Sequence, residues 1–281
     1  MSKIRRSERL IDMTFYLLER PNTLISLSNF VERYDSAKSS ISEDIGIIRR
    51  TFMMRGIGML ETLPGAGGGV LYTPGISKDE SQKFLNDIKN EIAQIDRILP
   101  GGYLYLSDLL TNPEILKTIG RMIATQYADS SIDVVMTVAT KGIPIAQSVA
   151  NYLNVPFVIV RRDSKITEGS TISVNYASES SDRIQKMELS KRSLKAGSNV
   201  LVVDDFMKGG GTIIGMKSLI EEFDANYIGA TVFVENSTTS NNVSENSITS
   251  MFKVNEIDPN KKSVSIDEGN FIENTNFNYF E

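Results

Sequence analysis

The chain has 281 residues, 30 basic and 35 acidic side chains and a net charge of −5, and it contains neither Cys nor His. That length exceeds one compact domain and predicts two, each able to bury its own core. Without Cys or His, disulfides, thiolate or imidazole metal sites and His-dependent triads are excluded, and chemistry falls to carboxylates, Lys, Arg and backbone groups.

The N-terminus carries no apolar signal region and the apolar runs are too short for a bilayer, so a cytoplasmic protein without membrane contact is expected. Ser7 can cap a first helix whose apolar face is Leu10, Ile11, Thr14, Phe15, Leu17 and Leu18, ended by Pro21. Ser26 can open a second, with Leu27, Phe30, Val31 and Tyr34 at i, i+3, i+4 and i+7. In a third, Ala37, Ile41, Ile45, Ile48 and Phe52 share one face, leaving Lys38, Ser39, Ser42, Arg49 and Arg50 largely outside it. Two short strands follow, Ile57 to Leu63 and Val70 to Thr73, joined by the glycine-rich turn 64–69.

Three helices and a hairpin make residues 1–73 a winged helix-turn-helix. In that geometry the third helix enters the major groove of double-stranded DNA with Lys38, Ser39 and Ser42 foremost. Arg49 and Arg50 add charge, Gly67 and Gly68 let the wing approach the DNA backbone, and Arg5, Arg6 and Arg9 supply phosphate contacts if they face the same way. The charge split agrees: +2 over residues 1–73 against −7 over 74–281. A helical dimerisation module is the alternative reading. The glycine run 67–69 is not a P-loop, because no Lys-Ser or Lys-Thr follows it and no helix opens there.

Residues 74–281 form the second domain, with a hinge near Pro74-Gly75. A long amphipathic helix is expected from Lys78 to Leu99, with Phe84, Leu85, Ile88, Ile92, Ile95 and Leu99 on its apolar side. Beyond it a strand (Tyr103 to Leu106), helix (Pro113 to Tyr127), strand (Val134 to Val138), helix (Ile143 to Leu153) and strand (Val155 to Val160) alternate as βαβ units. The fold class is therefore α/β with a mostly parallel sheet, and ligands are expected at its carboxyl edge. The polar stretch from Asp163 to Ser181, after Arg161-Arg162, reads either as a flap over a charged ligand or as a passive surface hairpin. After Glu235, Met251 to Val254 and Ser263 to Ile266 read as two edge strands among loops.

The most informative segment is Val200-Leu-Val-Val-Asp-Asp-Phe-Met-Lys-Gly-Gly-Gly-Thr212. A buried strand, two acids and a Gly-rich turn opening a helix is how a parallel sheet presents a ribose phosphate: carboxylates take sugar hydroxyls and backbone N–H groups take phosphate oxygens. It resembles the signature for 5-phosphoribosyl-1-pyrophosphate (PRPP) in type I phosphoribosyltransferases. By that resemblance Asp204 and Asp205 hold the ribose hydroxyls, and Phe206 and Met207 lead into a 5′-phosphate cradle of Lys208, Gly209, Gly210, Gly211 and Thr212. Thr140, Lys141 and Gly142, after the strand ending at Val138, resemble the pyrophosphate loop of the same fold. Gly209 departs from the pattern, standing where most of the enzymes carry Thr or Ser.

The chain as a whole is similar to the purine operon regulators of Gram-positive bacteria, the PurR type, through residues 204–212, Pro100-Gly-Gly-Tyr103 and Thr140-Lys-Gly-Ile-Pro144. The resemblance implies a homodimer on tandem purine-operon boxes in promoter DNA, meeting RNA polymerase where a member activates. It implies PRPP as effector, with no required cofactor, no protein-held metal, an open question over Mg2+, guanosine tetraphosphate as a candidate competitor, and no transferase reaction. The rival is a purine or xanthine phosphoribosyltransferase with an accessory N-terminal domain.

Overall fold

The computed structural model describes residues 4–65, 67–99, 103–163, 169–178, 183–236, 248–258 and 263–280. In the N-terminal domain, helices α1 (Arg6–Leu18), α2 (Leu27–Tyr34) and α3 (Lys38–Met54) pack with an antiparallel hairpin of β1 (Gly58–Leu63) and β2 (Gly69–Pro74). Their core is one cluster that includes Met13, Leu17, Phe30, Ile41, Ile45, Phe52 and Val70. Fully burying each such side chain contributes about 1.5–3 kcal/mol.

Helix α2 starts at the expected cap, Ser26 Oγ accepting from Asn29 N–H at 3.3 Å. Helix α1 does not start at Ser7. Its cap position is Arg5, two residues earlier, and Glu8 in the first turn reaches back so that its carboxylate accepts the Arg5 N–H at 2.8 Å. Its buried face is Arg9, Met13 and Leu17, whereas Ile11 and Phe15 are 72% and 62% exposed. The reason is an ion pair: Arg9 turns inward to Asp44 on α3, which keeps Leu17 inside as expected but rotates Ile11, Phe15 and Leu18 toward solvent.

In the second domain α4 (Lys78–Ile92) is shorter than the expected helix. A 3-10 turn at Ile95–Arg97 follows, then a small hairpin of β3 (Ile98–Leu99) and β4 (Tyr103–Leu104), which stands apart from the main sheet. Arg97 causes this turn. Its guanidinium donates to the carbonyls of Glu91 and Tyr105 and, through two bonds of 2.7 Å, to the Asp108 carboxylate. Those contacts are incompatible with a continuing helix.

Next come α5 (Pro113–Gln126), β5 (Val134–Val138), α6 (Ile143–Leu153), β6 (Phe157–Val160), β7 (Thr171–Ser178), β8 (Arg183–Ser190), β9 (Asn199–Lys208), α7 (Gly211–Glu222), β10 (Asn226–Asn236), β11 (Ile248–Asp258) and β12 (Ser263–Glu268). Six strands form one sheet in the order β12-β11-β10-β9-β5-β6, parallel except for β12. Strand β11 is therefore internal, not an edge as its short apolar pattern suggested, because β12 folds back along it. Side-chain alternation divides the core. Val135, Leu201, Val203 and Phe233 face α4, α5 and α6, while Val134, Met136, Val200 and Val202 face α7 and the β7–β8 hairpin.

The two domains meet along a tied seam, where Asn22 bonds the end of α6 and Asn154 bonds Thr23. The start of the second domain is itself held down: Ile76 N–H donates to Thr125 Oγ1 at 3.0 Å, and the Phe280 ring lies against Gly75 so closely that no Cβ would fit there.

Candidate functional site

The acid pair lies inside β9 rather than in the loop after it. Asp204 and Phe206 are in register with Val232 and Val234 of β10. Asp204 is buried, and its Oδ1 accepts the backbone N–H of Asp205 at 2.9 Å. Burial raises the Asp204 pKa well above the ordinary carboxylate range, and the neighbouring Asp205 charge adds to the shift. Burial also raises that of Asp205, opposed by the Asp204 hydrogen bond and by the positive charge of Lys141. The field of Lys141 thus ties the loop after β5 to the acids on β9.

Beyond the acids, Gly209 and Gly210 have φ of 73° and 87°, a conformation that disfavours side chains, and α7 begins at Gly211. First-turn amides have no carbonyl partner inside a helix, so this end presents N–H donors and the positive pole of α7 to an anion. Gly142, opposite, has no room for a side chain. A Cβ there would stand 2.7 Å from Asp204 Oδ1 and closer still to Thr137 Oγ1. The 139–142 turn therefore packs directly over Asp204.

Lys141 and Thr140 are exposed beside this packing point, and Lys208 and Thr212 are half-buried. Met207 is a core side chain on the α7 side of the sheet, and Phe206 packs on the other. Met207 can therefore offer a ligand little beyond its backbone, while Phe206 is half-buried. Sequence reasoning missed two neighbours. Thr137 Oγ1 is buried without a hydrogen-bond partner beneath Gly142, its only signal being a hydroxyl in an apolar strand. Arg162 favours the ionised form of Asp204, and its signal was its place just after β6.

Of the stretch from Asp163 to Ser181, residues 171–178 form β7, paired along its length with β8, with Tyr176 and Met187 closing on Gly215 of α7. Residues 164–168 and 179–181 lie outside the described part, as do Pro100, Gly101 and Gly102.

In the N-terminal domain, Lys38, Ser39, Ser42 and Arg50 are exposed on α3, and Ser42 Oγ donates to the Lys38 carbonyl at 3.0 Å. Arg49 reaches the wing, donating from Nη2 to Thr62 Oγ1 on β1 at 2.6 Å. Arg5 and Gly67 are exposed and Gly68 is half-buried. Arg6 and Arg9 are engaged in ion pairs. Arg6 Nε binds Asp44 at 2.8 Å with Nη2 on Glu43 at 3.2 Å, and Arg9 Nε binds the other Asp44 oxygen at 2.6 Å. They hold α1 to α3.

A cavity of 620 Å³ lies at the domain seam, lined by Phe52, Met53, Met54, Leu60, Tyr279 and Phe280 among others, and shares no residue with the acid pair or its loops. Among the described residues no helix is long and apolar enough to cross a membrane.

Residues 5–74 match the family of the bacterial purine repressor N-terminal domain, and residues 106–268 match the phosphoribosyl transferase domain family. The chain is 55% identical, over 96% of its length and 98% of the relative's, to the probable purine biosynthesis transcriptional regulator PurR of Streptococcus pneumoniae. It is 53% identical to the purine biosynthesis transcriptional repressor PurR of Bacillus subtilis, over 96% and 94% of the two chains. It is 50% identical to the transcriptional activator PurR of Lactococcus lactis subsp. lactis, over 96% and 99%. Among solved structures, the adenine phosphoribosyltransferase of Thermoanaerobacter pseudethanolicus superposes with a TM-score of 0.53 at 21% identity, over 60% of this chain and 99% of that one, a likeness of fold.

Proposed function

The chain belongs to the PurR family of purine biosynthesis transcriptional regulators, and we propose that it binds purine-operon promoter DNA through α3 and the wing and senses PRPP at the carboxyl edge of its sheet. One observation carries the effector reading. A buried Asp204 and a half-buried Asp205 on β9, a Gly-Gly turn at a helix N-terminus and a Lys-bearing loop packed over Asp204 converge on one edge. Asp204 and Asp205 take the ribose 2′ and 3′ hydroxyls, residues 208–212 take the 5′-phosphate, and Thr140 to Gly142 with Lys141 take the diphosphate.

A divalent cation fits the same place. Mg2+ is held by one or two carboxylates together with ligand phosphates, and Asp205 with the diphosphate meets that description. Guanosine tetraphosphate, with a ribose and two diphosphates, competes for the same donors.

The domain acts as a receptor rather than a transferase. Turnover requires positioning an acceptor base and stabilising a developing ribosyl cation, whereas sensing requires only that two protein states bind the ligand unequally. A homodimer matches the two-fold logic of tandem operator boxes, and contact with RNA polymerase belongs to promoters that are activated. The protein works in the cytoplasm, where its DNA and effector are.

The test is a fluorescence-anisotropy titration of purine-operon promoter DNA at fixed salt, with and without PRPP. Specific binding that shifts with PRPP is expected; binding indifferent to PRPP removes the effector assignment. Incubation with PRPP, Mg2+ and each purine base is expected to release no pyrophosphate, and release would convert the reading to an enzyme.

A further inference from the structure

Helix α6 spans the distance between the proposed effector loop and the DNA-binding domain. Its first turn grows out of the Thr140–Gly142 loop, with Ala146 N–H donating to the Gly142 carbonyl at 2.9 Å. At 11 residues it is about 16 Å long. Its far end touches the turn between α1 and α2. Asn22 donates its side-chain amide to the carbonyls of Tyr152 and Leu153 at 3.1 and 3.3 Å, and Asn154, the residue capping α6, donates back to Thr23 Oγ1 at 3.0 Å. Each domain thus contributes one asparagine amide to the other.

The contact continues into the wing. Asn22 N–H donates to the Tyr72 carbonyl at 2.8 Å, and Ile25 and Val70 exchange backbone bonds of 2.9 and 2.8 Å, so the α1–α2 turn is stitched to β2. Within the second domain α6 is not free to bend. Ser148 Oγ donates to the Leu116 carbonyl of α5 at 2.7 Å, Gly120 of α5 lies against Ser148, and Ile145, Ala146, Val149 and Ala150 are buried. A close-packed helix of this kind shifts as a body, by small translations.

We propose that α6 is the strut that couples the effector site to the DNA-binding domain: ligand seating on the Thr140–Gly142 loop displaces α6 along its axis, and the Asn22–Asn154 exchange passes that displacement to the α1–α2 turn and the wing strand. The proposal rests on the PRPP reading above and names its route of regulation.

Asn22 and Asn154 both have left-handed backbones, φ 52° and 58°. Asn22→Gly with Asn154→Gly therefore removes both side-chain amides while keeping a backbone that glycine adopts freely. The measurements are the PRPP Kd of the full chain, the promoter Kd with and without PRPP, and hydrogen exchange at Ile25 and Val70. In the double variant, PRPP affinity and ligand-free DNA affinity are expected within about twofold of wild type, while the PRPP-induced change in DNA affinity shrinks at least fivefold, within the usual span of coupling. The PRPP-dependent change in exchange at Ile25 and Val70 disappears with it. An unchanged PRPP response in the variant overturns the strut and leaves the PRPP reading standing. A wild-type protein whose DNA affinity ignores PRPP overturns both. Should the double variant unfold, Thr23→Val, which deletes the Oγ1 acceptor of Asn154 together with its 3.2 Å bond to the Pro21 carbonyl within the same turn, is expected to reduce the same response, and its failure to do so counts against the strut.

Discussion

Two aspartates lie inside this molecule under opposite arrangements. Asp44 of the N-terminal domain is fully buried, and each oxygen receives an arginine Nε, from Arg6 and from Arg9. Asp204 of the second domain is almost as buried, yet among the described residues it has no ion pair; it has a second aspartate beside it and a glycine loop above it. A buried charge with its counter-charges in place is a fastener. A buried acid left without a direct ion pair costs stability in the free protein, and a ligand that supplies hydroxyl donors or a cation recovers that cost. The contrast separates the part built to hold a shape from the part built to receive something.

The largest expected effect breaks the fastener. Asp44→Ala leaves Arg9 buried without a counter-charge and is expected to destabilise the N-terminal domain by about 3–5 kcal/mol. Hydrogen exchange should then show α1 amides unprotected and promoter binding lost, with PRPP affinity retained. Protection of α1 at wild-type levels would mean the two arginines find other partners and the pair is dispensable.

The second effect concerns the receiving part. Asp204→Asn with Asp205→Asn is expected to lower PRPP affinity at least 100-fold, which is about 2.7 kcal/mol. Thermal stability of the free protein is expected to hold or rise, and basal DNA affinity to stay near wild type. A marked loss of stability would place Asp204 among the fasteners and erase the contrast.

A smaller effect is the pH dependence of the same pair. Both pKa values are raised, so between the ordinary aspartate range near pH 4 and the raised values the folded protein holds more protons than the unfolded chain. Their contribution to stability is therefore present at acid pH and lost as pH rises through that interval. The ionised pair binds the ligand, so PRPP affinity rises over the same interval. The difference in melting temperature between wild type and the double Asn variant, followed from pH 4 upward, isolates this contribution, since Asp12 and Asp108, whose pKa values are lowered by Arg33 and Arg97, act in both proteins with the opposite sign. A difference that does not vary with pH would remove the pair as its source.

Much of this was legible in the chain. The βαβ alternation, the wing and the buried face of α3 follow from apolar period, and those patterns survive folding because packing and propensity agree there. What failed to show were places where one charged side chain overrides the apolar pattern. Arg9 rotates α1, and Arg97 ends α4 and folds the following residues into a hairpin; neither partner, Asp44 or Asp108, is marked in sequence as theirs. Helical spacing placed Ile11 and Phe15 inside because it cannot see a pair made across 35 residues. The acids of β9 were found by type and misplaced by position, since a strand carrying two carboxylates looks like a strand that has ended. Thr137 and the asparagines at the seam gave almost no signal, because their importance lies in what packs against them.

The smallest expected effect sharpens the contrast on the DNA side, where the arginines and lysines divide between fastening and contact. Lys38 is exposed at the start of α3, whereas Arg6 is engaged by Asp44 and Glu43. If Lys38 meets a phosphate, Lys38→Ala removes one released counterion, and the slope of log affinity against log salt falls by about one. Arg6→Ala is expected to leave that slope unchanged, since its charge, though half-exposed, is already paired with Asp44 and Glu43, and to act through the stability of α1. Equal slopes for Lys38→Ala and wild type would move the contact elsewhere on α3, with Arg50 the next exposed cation. A reduced slope for Arg6→Ala would show that DNA draws this arginine away from Asp44, leaving Arg9 as the only fastener in the bound state.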